Sequence, residues 1–191
     1  MKYILDFDGV IFNTKAFKNW LIDHGYEGHP RDEEMIASLK KDIASEILDM
    51  KAFVFEGART FLDAYPNSTV LSSAKSRIDQ NNEANETESI AFQEFKIAAV
   101  ALPSVTQVQV VYDEKSEALR EMTKDAEGAM VIFVDDTKKH LDDGKDVYEN
   151  LYTVCMKRET TFKFGGITEH RVVCNFKELK HLVETLEEKE A

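Results

Sequence analysis

The run Ala129-Met130-Val131-Ile132-Phe133-Val134 constrains this chain more than any other stretch. It is apolar without alternation and stops at two carboxylates, Asp135 and Asp136. A strand with apolar residues on both faces must be covered on both faces, which is the situation of a parallel sheet between two helix layers. Two other runs repeat the design. Tyr3-Ile4-Leu5 precedes Asp6-Phe7-Asp8-Gly9, and Thr69-Val70-Leu71 precedes Ser72-Ser73. Val105–Tyr112 and Leu151–Met156 read as further strands, and Arg171–Cys174 as a last short one. Helical patterns lie between them. The alternation predicts an α/β fold: a single domain across 1–191 with a doubly wound (Rossmann-like) parallel sheet of about five strands.

In such sheets ligands bind beyond the carboxyl ends of the strands. Asp6 and Asp8, the hydroxyls of Ser72 and Ser73, and Asp135 and Asp136 all fall at such ends. Two aspartates as close as Asp6 and Asp8 repel each other, which favours a bound cation or a shared proton. A hard cation with oxygen ligands, magnesium, suits that demand. A hydroxyl at a strand end can donate to whatever binds there; Ser73 fits the first residue past its strand, with Ser72 the alternative.

Between the first two strands the chain is helical. Asn13 or Thr14 can cap a helix carrying Phe17, Trp20, Leu21 and His24 on one face, with Gly25 as its stop and His24 as a partly buried structural histidine. Pro30 and Asp32 can start a second helix with the stripe Ile36, Leu39, Ile43, Ile47 and Met50. Gly57 leads a third through Phe61, Leu62 and Tyr65, ended by Pro66-Asn67. Ser76–Glu88 is polar and reads as a surface insertion, and a helix with Ile90, Phe92, Phe95 and Ile97 follows. Lys157–Thr168 reads as a loop turning at Gly165-Gly166, and Asn175 caps a closing helix whose stripe is Phe176, Leu179, Leu182, Val183 and Leu186.

The stretch from Tyr3 to Phe12 resembles the first motif of the haloacid dehalogenase-like superfamily of phosphotransferases and hydrolases: an apolar strand, Asp-x-Asp-Gly-[Thr/Val], then apolar residues. Thr69–Ser73 resembles the second motif, a strand closed by Ser or Thr. Lys115 at a helix start resembles the third, a lysine, with Lys96 as its competitor. Val131–Asp136 resembles the fourth in its double-aspartate form; the later aspartate of other members is absent, since His140 and Leu141 stand there. The resemblance implies a phosphatase acting on a small phosphorylated metabolite. It makes Asp6 the nucleophile and Asp8 the acid and base, with Ser73 and Lys115 catalytic. Ser72, Gly9 and Lys115 would contact substrate. Mg2+ would be held by Asp6, Asp8 (through its carbonyl), Asp136 and Asp135. The resemblance further implies a reduced helical cap within 14–65, its core at about 26–55, where Arg31, Lys40 and Lys41 could meet a distal substrate group. A phosphomutase, or a non-catalytic phospho-ligand-binding protein, remains an alternative on the same core.

Composition narrows the partners. The net charge is −12, which argues against nucleic acid or an anionic membrane as partner. A small phosphate ester is not excluded, because a local cation can reverse the field inside a cleft. Cys155 and Cys174 lie in apolar stretches and read as buried free thiols. With no leader pattern and no long apolar run, the expectation is a cytoplasmic protein. Neither the substrate nor the oligomeric state is legible.

Overall fold

The computed structural model describes residues 1–74, 78–79, 82–83, 86–112, 114–158 and 170–190. Strand β1 (Lys2–Leu5) is followed by helices α1 (Thr14–Asp23) and α2 (Glu33–Ala44), a 3₁₀ turn at Met50–Phe53, and α3 (Ala58–Ala64). Then come β2 (Ser68–Ala74), a two-stranded antiparallel ribbon of β3 (Ile78–Asp79) and β4 (Asn82–Glu83), and α4 (Glu86–Val100). The second half runs β5 (Gln107–Tyr112), α5 (Ser116–Thr123), β6 (Val131–Asp135), α6 (Lys138–Gly144), β7 (Leu151–Met156), β8 (Arg171–Val173) and α7 (Phe176–Glu190).

Among the described residues six strands form one parallel sheet in the order β5-β2-β1-β6-β7-β8; they are the six runs read from the sequence, the short β8 pairing at the edge. The chain starts at the centre, winds outward through β2 and β5, then returns to β6 on the other side of β1. The reversal therefore falls between β1 and β6, the crevice where doubly wound sheets bind ligands. Register sets Leu5 beside Val70 on one side and Val134 on the other. Asp6 and Asp135 therefore leave the sheet side by side.

Period-two alternation divides the apolar residues between two layers. Ile4, Leu71, Val131 and Phe133 pack with Ala118 and Leu119 of α5 and Leu141 of α6. Leu5, Val70, Ile132 and Val134 pack with Phe61 of α3, Phe92 and Phe95 of α4, and Leu179 and Val183 of α7. An aromatic group over the end of β1 joins Phe7, Phe12, Phe17 and Phe53.

Several local expectations change. The second helix stops at Ala44 instead of reaching Met50. Ser45 and Glu46 close it: Glu46 takes φ 59°, and the Ile47 N–H donates to the Asp42 carbonyl. This left-handed exit, ordinarily a glycine position, leaves Ile47 exposed while Leu48 and Met50 turn inward. His24 is exposed, its ring stacked on Trp20 at 4.0 Å. Both cysteines are free, but only Cys155 is buried; Cys174 is exposed. Of the polar segment 76–88, residues 86–88 already belong to α4, and most of the rest, like the loop about Gly165-Gly166, lies outside the described residues. Among the described residues no helix is long and apolar enough to cross a membrane.

Phe133 is fully buried in the central strand, beneath Lys115 with 5.9 Å between Nζ and the ring centre. Phe133→Ala should lower the unfolding free energy by about 3–5 kcal/mol, measured by urea denaturation.

Candidate active site

Asp6 is the first residue past β1. It follows the alternation of Ile4 and faces the α5/α6 layer, as Asp135 does after Phe133. Lys115, which caps the start of α5, lies between them. Its ammonium is 2.7 Å from Asp6 Oδ1 and 2.7 Å from Asp135 Oδ2, and its side chain is 1% exposed. Asp6 Oδ1 also accepts from the Phe7 N–H at 2.8 Å. Both oxygens of Asp135 are engaged. Oδ1 accepts from the Thr137 N–H, and Oδ2 accepts from Lys115 and lies 3.1 Å from His140 Nδ1.

Asp8 goes the other way. The strand has ended, and the Ile11 and Phe12 N–H groups both donate to the Phe7 carbonyl, turning the chain. Its carboxylate meets the α4 layer. Lys96 Nζ lies 2.7 and 2.9 Å from its two oxygens, Gln93 Nε2 donates to Oδ2 at 2.8 Å, and the Thr14 hydroxyl donates to Oδ1. The Asp8 side chain keeps 29% of its surface, whereas Lys96 keeps 4%.

Beyond these groups is a cleft of about 530 Å3 whose lining includes Asp6, Asp8, Gly9, Ser73, Lys96, Asp136 and His140. The serine pair divides: Ser73 lines the cleft, while Ser72 is fully buried with its hydroxyl 2.6 Å from Gln93 Nε2. Strand β2 continues through both serines to Ala74, so Ser73 is the penultimate strand residue and not the first past it. Gly9 also lines the cleft, and its N–H donates to the Phe12 carbonyl at 2.9 Å. It takes φ +79°, and a Cβ there would fall 2.0 Å from Asp136 Oδ2. Only glycine permits both the backbone conformation and this approach.

Carboxylate oxygens of Asp6, Asp135 and Asp136 lie within 4.8 Å of one another. The Asp8 side chain is not in this group. Burial, with the like charges of Asp135 and Asp136, pushes the Asp6 carboxyl well above its usual value, against the pull of Lys115. Burial and then Asp135 push Asp136 up to about 6. For Asp135 burial acts upward, but Lys115 and His140 outweigh it and hold the carboxyl low. For Asp8 burial likewise acts upward, and Lys96, Thr14 and Gln93 outweigh it. Burial lowers Lys96, against Asp8. The same burial penalty on Lys115 is overcome by Asp135 and Asp6, and its pKa rises. Two carboxylates sharing one lysine, with a third close by, suit a hard divalent cation. Asp6 and Asp136, which face the cleft, are the better placed to hold it; Asp135 is occupied with Lys115.

A scan against protein-family models finds no match for this chain, and a search of curated proteins finds none. Solved structures do match. A protein of Burkholderia xenovorans LB400 assigned as a haloacid dehalogenase-like hydrolase superposes with a TM-score of 0.64 at 17% identity, over 94% of each chain. YfnB of Bacillus subtilis, assigned as a HAD-hydrolase and solved with magnesium, gives 0.58 at 11% identity over 95% of this chain and 97% of that one. The D,D-heptose 1,7-bisphosphate phosphatase of B. bronchiseptica, solved with magnesium and phosphate, gives 0.55 at 14% identity over 97% and 99%. The chain has the haloacid dehalogenase-like fold.

On this fold the structure brings Asp6, Asp8, Gly9, Ser73, Lys115, Asp135 and Asp136 to one sheet edge; Ser72 lies behind it. Lys96 reaches the site as well, so the two lysines are not competitors for one position. Sequence reasoning missed Gln93 and the contact of His140 with Asp135. Gln93 and Lys96 are three apart on α4 and so share a face, but nothing in the sequence ties that face to Asp8.

Asp136 gives a test. A carboxyl whose pKa is near 6 when folded and 3.8 otherwise favours the folded state below pH 3.8, and that contribution is lost as pH rises through 6. Metal-free Asp136→Asn should therefore melt above wild type at pH 7, with the gap closing towards pH 4. Magnesium should raise the wild-type midpoint at pH 7 and leave the variant's nearly unchanged. Thermal denaturation with and without the metal checks both.

Proposed function

We propose that this chain is a magnesium-dependent phosphatase that hydrolyses a small phosphomonoester through an aspartyl-phosphate on Asp6. The observation that carries the reading is the split of the two neighbouring carboxylates: Asp6 is held by Lys115 and Asp8 by Lys96, both opening on one cleft. A nucleophile and a separate acid–base group are what the two half-reactions require. The lining also includes the cations Lys15, Lys18 and Arg31, which suit an anionic substrate on a chain of net charge −12. The first two are one turn apart on α1. In this reading the segment carrying α1 and α2 is the reduced cap.

An Asp6 oxygen attacks phosphorus, the P–O bond to the leaving group breaks, and Asp8 gives that oxygen a proton. Because Asp8 is ionised in the resting site, it must first take up a proton, and a monoanionic phosphate ester carries one into the cleft. Asp8 then accepts a proton from the water that attacks phosphorus and frees Asp6. Ser73 holds a remaining phosphoryl oxygen, and Lys115, expected from the sequence to contact substrate, lies outside the cleft lining and serves by holding Asp6. Magnesium, when bound at Asp6 and Asp136, supplies positive charge to the phosphoryl oxygens. Carbon–halogen hydrolysis is disfavoured on this site, because a departing halide needs no acid and Asp8 would have no task. The physiological substrate, among sugar phosphates, nucleotides and phosphorylated acids, is open.

With magnesium the protein should release phosphate from p-nitrophenyl phosphate, and chelator should stop the release. Asp6→Asn should reduce kcat by at least about a thousandfold, the order of losing a nucleophile. Phosphate release that survives in this variant, or chloride release from chloroacetate in place of phosphate release, would count against the reading.

A further inference from the structure

Lys96 is 4% exposed and its ammonium rests on both oxygens of Asp8. Burying such a pair is weak evidence for stability, since two packed apolar side chains serve a core as well or better. The surroundings of this pair indicate another purpose. Gln93, one turn earlier on α4, directs its side-chain NH2 to both Asp8 Oδ2 and the Ser72 hydroxyl. Ser72, fully buried in β2, ties that amide to the central sheet. Thr14 holds Asp8 Oδ1 from the start of α1. Asp8 nevertheless faces the cleft and keeps 29% of its side-chain surface, so the donors grip it from behind.

We propose that Lys96 and Gln93 are positioning residues for Asp8, anchored through Ser72, and that this clamp from α4 aims the Asp8 carboxylate at the leaving-group oxygen. The proposal rests on the phosphatase reading. It divides the labour of the two lysines: Lys115 serves the nucleophile from one layer of helices, and Lys96 serves the acid–base group from the other. It also gives the adjacent serines different tasks, Ser73 towards substrate and Ser72 towards Gln93.

The dependence on the leaving group distinguishes positioning of Asp8 from general support of the fold. A p-nitrophenolate leaves with little protonation, whereas an alkoxide needs an acid. With magnesium, Lys96→Met should reduce kcat on glycerol 2-phosphate about tenfold to a hundredfold more than on p-nitrophenyl phosphate. KM for both esters should change little. Lys96→Arg should recover part of the loss, and Gln93→Leu should show the same bias more weakly. In an Asp8→Asn background Lys96→Met should add almost nothing, because the lysine acts through the aspartate. If Lys96→Met does not fold, Gln93→Leu, which keeps the ion pair, carries the same comparison. Equal losses on the two esters, or full additivity with Asp8→Asn, would overturn the proposal while leaving the phosphatase reading intact. A wild-type protein that releases phosphate from neither ester would overturn both.

Discussion

The buried ammonium of Lys115 is the interaction on which this site depends. It sits between Asp6 and Asp135 at 2.7 Å from each, with almost no contact with solvent. Taking an ion out of water costs several kcal/mol, and good geometry is needed to repay it. Here one cation serves two carboxylates, and a third, Asp136, is close by. Charge is therefore left over. Asp135 is kept ionised by Lys115 and His140, whereas Asp6 and Asp136 carry the strain as raised pKa values. The site is poised for another positive charge, and the raised groups are the ones that face the cleft.

The sheet explains why these groups meet. Its winding reverses between β1 and β6, so the connections leaving those two strands run in opposite directions and a crevice opens at their carboxyl ends. Strand period then assigns each side chain to a layer. Asp6 and Asp135 continue the face of Ile4 and Phe133, where α5 and α6 bring Lys115 and His140. Asp8 would share the face of Asp6 if the strand went on. It does not, because the chain folds back on the Phe7 carbonyl. Two carboxylates only two residues apart thereby acquire different lysines from opposite layers, and with them different protonation behaviour.

The parts of this arrangement that were legible in the sequence are those with local signals. Unalternating runs such as Val131–Val134 announce a strand covered on both faces, and the carboxylates behind them follow from chain order. Lys115 and Lys96 were both visible as candidates, but choosing between them supposed a single lysine site. Their distinct partners are tertiary facts. The serine pair was ambiguous for a similar reason: which hydroxyl faces the cleft depends on where the strand ends, and β2 runs on to Ala74. Helix α2 was overextended because its apolar stripe continues through Ile47, whereas the left-handed turn at Glu46 has no glycine to mark it. Gln93 had no signal at all, since a polar residue on a helix is ordinarily solvated.

An acidic chain whose proposed substrate is also acidic must separate two fields. Carboxylates on the outer surface are screened within about 8 Å at physiological salt. Charges inside a cleft with low-dielectric walls are screened much less, and they decide what enters. Here the carboxylates in the cleft lining are Asp6, Asp8 and Asp136, and the lining also carries Lys15, Lys18 and Arg31. Lys96 offsets Asp8, and Lys115 offsets Asp6 in part. A divalent cation between Asp6 and Asp136 would remove most of the remaining negative charge, so that a phosphate group would meet a field opposite in sign to that of the chain as a whole. The requirement for glycine at position 9 belongs to the same arrangement: any side chain there would displace Asp136 from the place where it would hold that cation.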